Sequence, residues 1–197
     1  MVRHMNHNRH IQIWDPLVRI SHWLLVGCFA IAYLLEDERL NLHVLAGSTV
    51  LGLVIFRMVW GVIGTKHSRF AALLCSPRQI IRHLYNLIRL RPVDHTAHTP
   101  IGGMMIFVLL GGLLMLTLNG VMLYGLENSA IPFAWFMAKL SPDTVIFFEQ
   151  MHGWIADVLA LLALIHVGGV VVESVLQKQN LILAMVTGYK TVRKESE

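Results

Sequence analysis

The chain has 197 residues, of which 55% are hydrophobic and only 14% charged, and its mean hydropathy is +0.60. This composition excludes an ordinary soluble domain and describes a membrane protein. The net charge of +4 comes without interleaved basic and aromatic residues, so it fits basic loops at a lipid surface and excludes nucleic acid as a partner.

Residues 1–10 are polar and cannot form the hydrophobic core of a cleavable signal peptide, so the first apolar segment is expected to be a mature transmembrane helix. Four segments, at about 17–35, 42–63, 101–124 and 147–175, are long and apolar enough to cross a bilayer. Only Glu36-Asp37-Glu38-Arg39 and a few neighbours separate the first two. The longest connection, 64–100, is basic and holds Pro77, Pro92 and Pro100. The connection 125–146 carries Pro132, Pro142 and an aromatic cluster of Phe133, Trp135 and Phe136, which reads as a short segment at the membrane interface. Cys28 and Cys75 form no C-x-x-C-H sequence, which rules out covalently attached c-type haem, and their positions argue against a mutual disulfide. There is no internal repeat and no low-complexity tract. The expected fold is all-α, an integral membrane four-helix bundle forming one domain over 1–197.

Basic residues orient it. The 64–100 connection contains Lys66, Arg69, Arg78, Arg82, Arg89 and Arg91. The amino end has Arg3, Arg9 and Arg19, and the carboxyl end has Lys178, Lys190, Arg193 and Lys194. The opposite side has Arg39 and Lys139 among Glu36, Asp37, Glu38, Glu127, Asp143 and Glu149. Both termini and the long connection are therefore expected in the cytoplasm.

Of the eleven histidines, His4, His7, His10, His67, His83, His95 and His98 fall in polar or loop sequence. His22, His43, His152 and His166 lie in or at the ends of apolar helices. His152 and His166 are fourteen residues apart, almost four turns, so they share a face at a separation of about 21 Å along the axis. The orientation places His22 and His166 near the inner side, and His43 and His152 near the outer side. Two imidazoles at one depth can ligate a haem iron from both sides, and such full coordination favours electron transfer over oxygen chemistry. Histidines hydrogen-bonded to neighbouring helices are the bland alternative, made less attractive by two pairs matched in depth.

Arg57 follows His43 by fourteen residues and shares its face four turns inward. It reads either as a partner for a haem propionate or as an interfacial anchor, and Arg19, one turn before His22, has the same two readings. Gly47 follows His43 by one turn, and Gly102, Gly103, Gly111, Gly112 and Gly120 line the third segment. These glycines let either a porphyrin or a neighbouring helix approach closely.

Several stretches resemble the bacterial four-helix di-haem cytochrome b561 family, which includes the cytochrome b subunits of nickel–iron hydrogenases. They are Trp14-Asp15-Pro16-Leu17-Val18-Arg19-Ile20-Ser21-His22-Trp23, Leu42-His43-Val44-Leu45-Ala46-Gly47, and Arg57-Met58-Val59-Trp60-Gly61 with Arg69-Phe70. They continue with Pro100-Ile101-Gly102-Gly103, Glu149-Gln150-Met151-His152, His166-Val167, and Asn180-Leu181 with Met185-Val186-Thr187-Gly188-Tyr189-Lys190. The resemblance spans nearly the whole chain in order. It implies axial histidines at His22, His43, His152 and His166, two haem b groups, and a bacterial inner-membrane location. It further implies electron exchange between ubiquinone or menaquinone and a redox protein such as a c-type cytochrome or a hydrogenase subunit. The alternative is a superoxide oxidase that passes electrons from periplasmic superoxide to quinone; the acidic outer loops rank it second. Glu149, Asp157 and Glu173 are ionisable candidates for proton uptake, with Asp157 about 140° round the helix from His152.

Overall fold

The computed structural model describes residues 9–12, 15–35, 39–65, 68–89, 99–128 and 140–192. Six α-helices are described: α1 Pro16–Leu34, α2 Leu40–Ile63, α3 Pro77–Ile88, α4 Pro100–Asn128, α5 Pro142–Leu176 and α6 Leu181–Thr187. A two-stranded antiparallel ribbon joins β1 (Arg9–Gln12) to β2 (Tyr189–Val192), with His10 opposite Thr191. The helices α1, α2, α4 and α5 are long and apolar enough to cross a membrane. The expected interfacial aromatic cluster lies outside the described residues, as do His4, His7, His67, His95 and His98.

Helix starts follow one local rule. Asp15, Ser76, Thr99 and Ser141 each precede a proline at the first helical position. Proline there loses no needed donor, and the preceding polar side chain satisfies an orphan amide. Asp15 Oδ1 accepts from Leu17 N at 2.8 Å, and Thr99 Oγ1 accepts from Gly102 N at 3.1 Å. Ser76 and Gln79 cap each other: Ser76 N donates to Gln79 Oε1 at 2.8 Å, and Gln79 N donates to Ser76 Oγ at 3.4 Å. Pro77, Pro100 and Pro142 thus open helices, where the sequence reading had left them in connections.

The chain divides into two compact units whose boundaries fall within the long helices. The first comprises 1–20, 60–104 and 166–197; the second comprises 21–59 and 105–165.

In the second unit, segments of α1, α2, α4 and α5 meet around Val50, Val54, Leu113, Leu116, Ala156 and Leu159. A Cβ added at Gly112 would come within 2.7 Å of Leu159 Cδ2, so α4 and α5 pack at close range there. Elsewhere the long helices expose large apolar side chains, which a bilayer would cover.

The first unit gathers the paired chain ends and the basic connection. Within that connection α3 is a helix that the sequence reading missed. Ile80, Ile81, Leu84 and Tyr85 fall on one arc, and the arginines Arg78 and Arg82 border it. His83, expected in polar loop sequence, is instead buried in α3. Its Nε2 lies 2.9 Å from Glu173 Oε1 of α5, while Glu173 Oε2 accepts from Gln177 Nε2 at 2.6 Å. A buried carboxylate needs such donors, and the imidazole pins the amphipathic helix to α5. The two cysteines are free thiols.

Candidate functional site

His43 sits in the first turn of α2, and its Nδ1 lies 2.8 Å from the carbonyl oxygen of Ala32 in the last turn of α1. The final carbonyls of a helix lack intrahelical donors, so the imidazole N–H donates to one of them. This bond fixes the tautomer: Nδ1 keeps the proton and Nε2 keeps its lone pair for a metal.

His152 reaches the same place from α5. The ring centroids of His43 and His152 are 6.0 Å apart, with the planes inclined by 62°. A metal–nitrogen bond is about 2 Å, and a ring centre lies about 1 Å behind each nitrogen, so two rings on opposite sides of one ion stand about 6 Å apart. Rotation about the metal–nitrogen bonds leaves the angle between the rings free. At this spacing the two rings would be able to hold one iron between them.

α4 provides the seat for His152. A Cβ at Gly120 would lie 2.9 Å from His152 Cε1, so only a bare Cα admits the ring at this depth. The Leu116 backbone, one turn earlier, interacts with the same ring. His152 Nδ1 is closed to solvent and has no close hydrogen-bond partner among the described residues. Beside His43 the helix surface is open: nothing comes within 4 Å of a Cβ added at Gly47. These features suit a flat macrocycle between α2 and α5. Among the described residues no three His, Cys, Asp or Glu side chains converge on a metal cage. A porphyrin supplies four nitrogens in its own plane and asks only two ligands of the protein.

The other candidate residues are described unit by unit. His22, in the second unit, is half-buried, edge-on to Trp23 at 5.4 Å between ring centroids. Arg57, also in the second unit, is half-buried, with Nη1 closed to solvent. His166, in the first unit, is half-buried on α5. Arg19, in the first unit, donates from Nη1 to the Val186 carbonyl near the end of α6, and its guanidinium lies against Gly188. A cation there complements the carboxyl end of a helix. Asp157 is exposed and accepts a hydrogen bond from Tyr33 Oη at 2.8 Å. Sequence spacing alone missed Tyr33 and His83, because both are defined by contacts between helices far apart in the chain.

Four of the described helices are long and apolar enough to cross a membrane, and the imidazoles of His43 and His152 lie side by side between two of them. The chain matches the family model of prokaryotic cytochrome b561 over residues 13–188 and belongs to that family. No curated protein and no solved structure matches it. It is a membrane b-type cytochrome of electron transfer, as the resemblance in its motifs implied.

Proposed function

We propose that this chain is a di-haem cytochrome, one functional domain over 1–197, carrying electrons across the bacterial inner membrane between the quinone pool and a redox partner protein. The observation that carries the proposal is the His43–His152 pair, 6.0 Å apart and with the His43 tautomer set by Ala32. These two residues hold the outer haem. His22 and His166 hold the inner one, supported by their shared depth in the charge-set orientation with both termini cytoplasmic.

When bound, each haem supplies a one-electron iron couple. The protein contributes two imidazoles per iron, which leave no position for oxygen. It also contributes the hydrogen bond that orients His43 and the glycine surface that seats His152. Arg57 supplies positive charge to a propionate of the inner haem. Arg19 is its second candidate partner, alongside the helix-end role described above. The partner on the redox side is a protein such as a c-type cytochrome or a hydrogenase subunit, and the quinone is ubiquinone or menaquinone.

Reduced-minus-oxidised spectroscopy with haem quantification on the purified protein tests this reading. Two low-spin b-type haems per chain, reduced by an added quinol, are expected. A single haem per chain or a high-spin resting signal overturns the di-haem assignment. Reduction by superoxide but not by quinol would favour the superoxide oxidase reading.

A further inference from the structure

We propose that a lateral groove beside Asp157 binds the head of a lipid-soluble hydroquinone, and that Asp157 accepts its hydroxyl proton. This rests on the quinone reading above and assigns it a site.

Asp157 lies near the middle of α5, among apolar neighbours, and its side chain is exposed. An ionisable group facing lipid at such a position is costly and is usually retained for function. Tyr33 of α1 donates to Oδ1 at 2.8 Å, and the carboxylate has no further hydrogen-bond partner among the described residues. Tyr33 is held in turn by stacking on Phe29, with ring centroids 6.1 Å apart. The carboxylate is thus fixed by one oxygen, leaving acceptor capacity on the other. Beside it is a shallow, open groove of ≈ 240 Å³ whose described lining residues, Trp154, Asp157, Val158 and Leu161, all lie on one exposed face of α5. Trp154 is 74% exposed and offers a large flat ring.

The chemistry of the groove narrows its occupant. A phospholipid phosphate would meet a carboxylate of its own sign, far from headgroup depth. A second copy docked by a symmetric contact would place two Asp157 side chains face to face. A metal ion would find one carboxylate where a cage is needed. A neutral ring with hydroxyl donors fits each feature. It arrives through lipid, stacks on Trp154, lays its tail along Val158 and Leu161, and donates to the carboxylate.

Oxidation of the hydroquinone releases two electrons and two protons. In each half an O–H bond breaks, its proton passes to the Asp157 carboxylate, which releases it to the aqueous phase before the second transfer, and one electron would go to a ferric b-type haem, the oxidant. Two ferric haems become ferrous and the ring becomes a quinone. Asp157 is five residues from His152, about 7.5 Å along the helix axis and about 140° round it. Both belong to the second unit.

The test uses the full-length, haem-loaded protein in phosphatidylcholine nanodiscs, with decylubiquinol as the probe. Asp157→Asn keeps the shape and an acceptor for Tyr33 but cannot take a proton. Its haems should form and reduce with dithionite as in the wild type, yet reduce with decylubiquinol at roughly one hundredth of the wild-type rate. Asp157→Glu should recover part of that loss. Independently, decylubiquinone should quench part of the wild-type tryptophan fluorescence, and Trp154→Phe should abolish that part. An Asp157→Asn protein reduced at the wild-type rate, or quenching unchanged in Trp154→Phe, overturns the site and leaves the quinone function standing. A wild-type protein whose haems dithionite reduces and decylubiquinol does not overturns the quinone function itself. If Asp157→Asn fails to hold haem, the fluorescence comparison decides.

Discussion

His152 rests on the bare backbone of Gly120: a Cβ built at Gly120 would lie 2.9 Å from His152 Cε1. The ring edge is held between helices, so it cannot withdraw without moving its nitrogens. Gly120→Ala should therefore displace His152, the ligand proposed above, at an overpacking cost of about 1–3 kcal/mol. The expected outcome is a shifted or missing spectrum for one haem and an unchanged spectrum for the other. Reduced-minus-oxidised spectra checked against total haem would show this, and two unchanged haems would mean that the ring relaxes freely.

The ligand pairing itself can be read by deletion. His43→Ala and His152→Ala should each remove the same haem, and His22→Ala and His166→Ala the other. Potentiometric titration of each variant separates the components. If His22→Ala and His43→Ala abolish one and the same component in folded protein, the pairing is wrong.

The four spans and the family were legible in the sequence because long apolar runs and dispersed ligand motifs are local signals. The rings of His43 and His152 stand 6.0 Å apart between centroids, a contact across 109 residues that no local signal in the sequence reports. What was not legible depends on contacts. Pro77, Pro100 and Pro142 read as chain breakers, although the polar residue before each marks a helix start. Arginines drew the reading of α3 toward a basic loop, while its apolar arc at helical spacing went unused. His83 looked solvated because nothing local announces Glu173, ninety residues away. The ribbon of β1 and β2 joins the two ends of the chain, and strands of four residues carry too little pattern to be seen alone.

The His83–Glu173 contact predicts a stability effect separate from haem chemistry. Their side chains are only 7% and 12% exposed. His83→Ala leaves a largely buried carboxylate short of a donor, which costs about 1–3 kcal/mol. Replacing both residues by leucine removes the polar group with its partner and should recover most of the loss. Thermal unfolding of the three proteins checks this, together with faster amide exchange across α3 in His83→Ala alone. Equal stability of His83→Ala and wild type would place the pair among contacts of no consequence.

Arg57 offers a prediction that ties charge to potential. It lies on α2 fourteen residues beyond His43, so it shares that residue's face about 21 Å further along the axis, at the depth proposed for the inner pair. Its Nη1 is closed to solvent, where a charge acts through a lower dielectric than at the surface. Reduction adds one negative charge to a haem, and a nearby guanidinium stabilises that form. Arg57→Gln should therefore lower the midpoint potential of one haem and leave the other nearly unchanged. The affected component should be the one lost in His22→Ala. A redox titration of the variant resolves both components. Equal shifts in both, or none, would assign Arg57 to the membrane interface.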